Sequence, residues 1–199
     1  MWPKRPGHMY SLDVKEMDEF ATLIAAARAE IGNDDFFLVA RTDARASSAK
    51  RGLDDSITRS NLYLDAGADC SFIEAPRSRA EMEEICNRVN GLRMINMMEG
   101  GLTPLMPVDT LGRIGYDLVI HPMSGLYSAT KAMIKAYSHL KSAGSMQDAM
   151  GLMVTMEEFD ALMGLDAKQA IEEQFARGVE GEKLTARVRA PVRSHINPQ

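Results

Sequence analysis

No apolar run in the 199 residues approaches the roughly 20 that a membrane span requires. The N-terminus also lacks the apolar core of a secretory signal. A cytoplasmic protein with no membrane partner is therefore expected. Cysteine is scarce: Cys70 and Cys86 have no metal-ligand spacing, so both are expected to be buried, reduced thiols rather than ligands or a disulfide framework. The cationic excess of a nucleic-acid binder is missing as well, the formal charge being −5. What is present is the mix of an ordinary folded chain, 45% hydrophobic and 26% charged, long enough for one well-buried domain and short for two. The 15 methionines are spread along apolar faces, where they suit core filling.

Two textures alternate along the chain. Residues 12–31 carry Met17, Phe20, Leu23, Ile24, Ala27 and Ile31 at three- and four-residue steps, which predicts an amphipathic helix closed by Gly32-Asn33. The run Phe36-Phe37-Leu38-Val39-Ala40 reads as a strand covered on both faces. Further helices are expected over 53–66, 78–89, 108–114 and 125–143, with strands at 36–41, 70–74, 93–98 and 117–121. Ser78-Arg79-Ala80-Glu81 has the spacing of a capping box. Strands alternating with helices through short links imply an α/β fold with a parallel sheet and right-handed crossovers. From residue 145 the pattern is helical, over 145–153, 159–163 and 166–176, with a second capping box at Thr155 to Glu158. The tail from 178, with Lys183, Arg187, Arg189 and Arg193, has little apolar periodicity and is expected to be solvated.

Each strand ends on polar residues: Arg41-Thr42-Asp43, Glu74, Asn96 through Glu99, and His121 with Ser124. Parallel α/β folds place ligand chemistry at the carboxyl ends of their strands, so four successive polar exits mark a site. The opening Lys4-Arg5-Pro6-Gly7-His8 joins two cations and a histidine to a Pro-Gly turn, a composition suited to an anionic ligand. His121 at a strand end suits a hydrogen-bonded core histidine better than a ligand contact, and His139 and His195 call for no function.

Taken in order, Lys4-Arg5-Pro6-Gly7-His8, Val39-Ala40-Arg41-Thr42-Asp43-Ala44, Phe72-Ile73-Glu74-Ala75, Asn96-Met97-Met98-Glu99-Gly100-Gly101-Leu102-Thr103-Pro104 and Pro122-Met123-Ser124-Gly125-Leu126 resemble the isocitrate lyase and phosphoenolpyruvate mutase superfamily. The resemblance covers residues 2–176 and is to the methylisocitrate lyase and dimethylmalate lyase branch, with oxaloacetate decarboxylases nearby. It implies a (β/α) TIM-barrel-like fold and Mg²⁺. It also implies a carbon-carbon lyase or decarboxylase acting on small 2-hydroxy or 2-oxo di- or tricarboxylates through an enolate. By the same resemblance Arg41 grips a substrate carboxylate, Asn96 donates to the same or a second one, and Glu74 orients Arg41 or a metal-bound water. Lys4, Arg5, Gly7 and His8 match a mobile gating loop that places an acid or base over the substrate. Gly7 and Ser124 join Arg41 and Asn96 as substrate-binding candidates; Lys4, Arg5, His8 and Glu74 are the catalytic ones.

Two departures from the family pattern matter. Pro6 stands where the lyases carry an acidic cysteine, and proline has no titratable group, so decarboxylation is less affected than thiol-assisted cleavage. The family barrel also has four strands before the gating loop, supplying the Mg²⁺-binding aspartates; the sequence begins at that loop and reads as the second half of a barrel, impaired on its own. The division expected is a partial barrel over 1–144, helices contacting a second copy over 145–177, and a tail over 178–199. Phe159, Leu162, Met163 and Leu165 are the expected apolar anchors of a homo-oligomer. Two other readings stay open: a non-catalytic assembly remnant, and a P–C bond mutase or hydrolase. Tyr127 falls where lyase relatives have a substrate-supporting arginine, favouring a smaller or less charged substrate.

Overall fold

A computed structural model of the chain describes residues 14–47 and 51–176. The gating-loop candidates Lys4, Arg5, Gly7 and His8, with Pro6, lie outside the described residues. The chain divides into two compact units on either side of the Lys131–Ala132 bond.

The first unit alternates helices and strands: α1 (Met17–Ile31), β1 (Val39–Thr42), α2 (Ala44–Ser47), α3 (Gly52–Asp65), β2 (Cys70–Ile73), α4 (Arg79–Arg88), β3 (Leu92–Asn96), α5 (Val108–Ile114), β4 (Leu118–Ile120) and the start of α6 (Ser124–Ala143). The strands form one parallel sheet in the order β1-β2-β3-β4, as their alternation with helices requires. Short β-branched and apolar runs make the strands. Gly115, left-handed at φ +119°, closes α5 where a Cβ would come within 3.2 Å of the Cys86 Cβ, whereas α4 runs out into extended Val89.

Burial decides which face of the sheet the helices cover. Ile73 and Ile95 point into a cluster with Ile57, Met82, Ile85, Cys86, Val89 and Leu111, joining β2 and β3 to α3, α4 and α5. Met82, Ile95 and Leu111 are fully buried there, and each such side chain contributes about 1.5–3 kcal/mol. A second cluster, Ala21, Ile24, Ala40, Tyr63 and Ala68, seats α1 on β1 and α3. Asp69 locks that corner: its carboxylate pairs with Arg28 of α1 and accepts the Leu38 amide at 2.7 Å.

The structure corrects expectations for the first unit. The first strand starts at Val39 rather than 36, leaving Phe36 and Phe37 exposed, because the parallel ladder begins only where Leu38 O accepts the Asp69 and Cys70 amides. Residues 14–16 precede α1 rather than belonging to it. The box at Ser78 is half formed: the hydroxyl accepts from Glu81 N, but the Glu81 carboxylate turns to Arg45 and the Arg77 amide.

In the second unit the 145–153 helix is a 3₁₀ turn, Gln147–Leu152, followed by α7 (Met156–Met163) and α8 (Leu165–Ala176). The box at Thr155 is complete: Glu158 N donates to the Thr155 hydroxyl at 3.1 Å and Thr155 N to the Glu158 carboxylate at 2.8 Å. Met156, Phe159, Leu162 and Phe175 are exposed. No described helix is long and apolar enough to cross a membrane.

Candidate active site at the strand exits

Register places the expected residues on one face. Arg41 pairs with Phe72, Phe72 with Met94, and Met94 with Leu118. Side chains alternate along a strand, so Glu74 and Asn96, each two residues past a paired position, share the face of Arg41. This face is opposite the one that carries Ile73 and Ile95 into the helical core.

Arg41 leaves β1 with its guanidinium 5.2 Å from the centroid of the Phe72 ring. It donates to Asp43 Oδ1 from Nη2 at 2.8 Å and from Nε at 3.2 Å, and its Nη1 lies 3.4 Å from Glu74 Oε2. Glu74 is buried, whereas Arg41 keeps 42% of its side chain in solvent. A guanidinium steadied from one side by two carboxylates and an aromatic ring retains donors for a carboxylate arriving from solvent.

Beyond Glu74 the backbone turns sharply. Ala75 has a φ of +58° and is itself buried, followed by buried Pro76. A non-glycine residue in this region costs roughly 1 kcal/mol or more and persists only where surroundings impose it. Asn96 closes β3 with its Oδ1 buried and without a hydrogen-bond partner among the described residues. A buried amide oxygen left in that state costs about 1–3 kcal/mol, so Oδ1 favours an occupant that donates a hydrogen bond, such as a hydroxyl, while Nδ2 is the donor side of the same amide.

Ser124 opens α6 and donates its hydroxyl to Glu99 Oε1, from the loop after β3. That bond, more than the charge of His121, holds the Glu99 carboxyl below the usual carboxylate range. His121 is exposed at the end of β4, not the core histidine expected. The Glu99–Ser124 link and the Phe72 ring beneath Arg41 were not foreseen from sequence; the strand pairing that brings Phe72 to Arg41 is legible only once register is known. Two surface clefts, of about 440 and 760 Å³, open beside α5 and include none of the strand-exit residues.

The described residues do not fit a Mg²⁺ site. They contain no group of three or more histidine, cysteine or acidic side chains able to hold a metal, and Asp43 and Glu74 are both engaged by Arg41.

A parallel sheet flanked by helices, with polar groups collected at its strand exits, places the chain in the TIM-barrel-like class of α/β proteins. The structure of oxaloacetate acetylhydrolase in complex with the inhibitor 3,3-difluorooxalacetate superposes with a TM-score of 0.77 at 26% identity, over 90% of this chain and 58% of that one. The chain belongs to the phosphoenolpyruvate phosphomutase family, which matches residues 8–141, within the isocitrate lyase/PEP mutase superfamily. It is 49% identical over 175 residues to the chloroplastic carboxyvinyl-carboxyphosphonate phosphorylmutase of Arabidopsis thaliana, covering 88% of this chain and 52% of the relative. It is 39% identical over 176 residues to the 2,3-dimethylmalate lyase of Eubacterium barkeri, covering 88% and 60% respectively. The chain thus spans between about half and three-fifths of the length of these curated relatives.

Proposed function

We propose that the strand exits of this chain serve a carbon-carbon lyase or decarboxylase that acts on small 2-hydroxy or 2-oxo di- or tricarboxylates, in the manner of methylisocitrate and dimethylmalate lyases. The observation that carries this reading is the Arg41–Glu74 pair: an exposed guanidinium held at 3.4 Å by a buried carboxylate on the same sheet face as the buried Asn96 amide. Arg41 binds a substrate carboxylate, Glu74 fixes the orientation of Arg41, and Asn96 hydrogen-bonds the substrate end that enters deepest. Ser124, whose hydroxyl donates to Glu99 Oε1, is the substrate-binding residue after β4. These described residues supply positioning and charge.

The second unit supports a homo-oligomer, because Leu162 at 79% exposure and Phe159 at 51% leave apolar surface on α7 that a second copy would bury.

The test is product release from oxaloacetate, 2-methylisocitrate, 2,3-dimethylmalate and phosphonopyruvate, with Arg41→Ala alongside. The reading expects pyruvate or its homologue from at least one of the first three, lowered about 100-fold or more in Arg41→Ala with unchanged circular dichroism. Turnover of phosphonopyruvate alone, or full turnover without Arg41, contradicts it.

A further inference from the structure

The half-formed cap at Ser78 has a second consequence. Arg45 follows the exit of β1 by three residues, in α2, and its guanidinium is buried against Glu81 of α4. Nε donates to Oε2 at 2.9 Å and Nη2 to Oε1 at 2.7 Å, a two-pronged pair with side-chain exposures of 8% and 19%. Glu81 Oε2 also accepts the Arg77 amide at 2.9 Å, so one carboxylate grips both the helix after β1 and the loop after β2. That loop carries Glu74 and the left-handed Ala75. It is tied at its start by Glu74 N donating to Thr42 O at 3.0 Å and at its end by Ser78 capping α4.

The α2 side of the pair is equally fixed. The Ala44 amide donates to the Thr42 hydroxyl at 3.2 Å, and a Cβ on Gly52 would sit 2.7 Å from the carbonyl oxygens of both Ala44 and Arg45. Helix α3 therefore rests directly on α2. A strained turn beside a site needs surroundings that impose it, and a buried bidentate ion pair bridging residues 36 apart is such a constraint.

We propose that Arg45 and Glu81 clamp the exit of β2 onto the exit of β1, which makes Arg45 a positioning residue for the Arg41–Glu74 pair. The proposal rests on the reading of Arg41 as a carboxylate grip, and its test separates the two. Arg45→Lys keeps the charge and loses the two-pronged geometry; Glu81→Gln keeps the size, loses the charge and replaces one of the two acceptor oxygens with a donor. Arg59→Lys is the reference, since Arg59 pairs within α3 with the partly exposed Asp55 and donates to the Lys15 carbonyl. Two quantities are measured: hydrogen exchange of the Glu74 and Arg77 amides, and affinity for oxalate by titration calorimetry.

Both clamp variants are expected to speed exchange at Glu74 and Arg77 by about tenfold beyond any change in the β3 amides, and to weaken oxalate by about tenfold. Arg59→Lys is expected to lower the melting temperature without either effect. Unchanged exchange in the folded clamp variants overturns the proposal, as does an equal rise in Arg59→Lys. Loss of the whole fold in both clamp variants overturns it too, because the pair would then be a global support rather than a local one. If the unaltered chain has no oxalate affinity, the carboxylate reading fails, and the exchange rates alone decide the clamp.

Discussion

Arg41 shows how much of a site one residue's neighbours determine. Free in solution, a guanidinium samples many rotamers; here Asp43, Glu74 and the Phe72 ring restrict it while leaving 42% of the side chain in water. The cysteines are the opposite case. Burial pushes the Cys70 and Cys86 thiols up to about 11 each, so almost no thiolate is present at neutral pH. At pH 8 a thiol reagent is expected to label the native chain only as fast as it opens, and to find two thiols at once after denaturation; rapid labelling of the native chain would contradict the packing around them.

At the scale of elements, the sheet was legible because its four strands are short apolar runs at regular spacing, and residues 70–73 were placed to within one position. Phe36 and Phe37 were misread because hydrophobicity marks a candidate strand, whereas ladder hydrogen bonds decide where it starts. The strand-exit residues Arg41, Glu74 and Asn96 were also visible, since their polarity interrupts apolar runs. Arg45 was not: Ser78 and Glu81 read as a helix cap, and nothing in local spacing says that Glu81 reaches a residue 36 positions away. The same reasoning applies to Asp69, whose carboxyl is lowered first by the Leu38 amide and then by Arg28. A carboxyl lowered in the fold stabilises it above the unfolded value near 3.8, and that contribution disappears as pH falls through the lower folded value. Asp69→Asn is therefore expected to reduce stability at pH 7 and to narrow the gap to the parent chain in acid, as read from denaturation midpoints between pH 2 and 7. A gap independent of pH would show that the Asp69 charge does not hold α1 to β1.

For the whole molecule, two surfaces differ in chemistry. The strand exits of the first unit gather charge and amide groups, whereas α7 and α8 of the second present exposed Met156, Leu162 and Phe175. Leu162→Glu is expected to lower the mass seen by light scattering to that of one chain without loss of helicity; an unchanged mass above one chain would place the contact elsewhere, and a single-chain mass before substitution would refute the assembly. The gating-loop candidates Lys4, Arg5, Gly7 and His8 stand outside the described residues, so the account of the site rests on the sheet. On the proposed function, Arg41 and Asn96 receive one carboxylate ligand together. The most direct measurement is an oxalate titration followed by the side-chain ¹⁵N signals of Arg41 Nε and Asn96 Nδ2. The account predicts that both signals shift with a single common affinity, and that Arg41→Ala abolishes the shift at Asn96. Signals that stay fixed through the titration, or that move with two separate affinities, would contradict it.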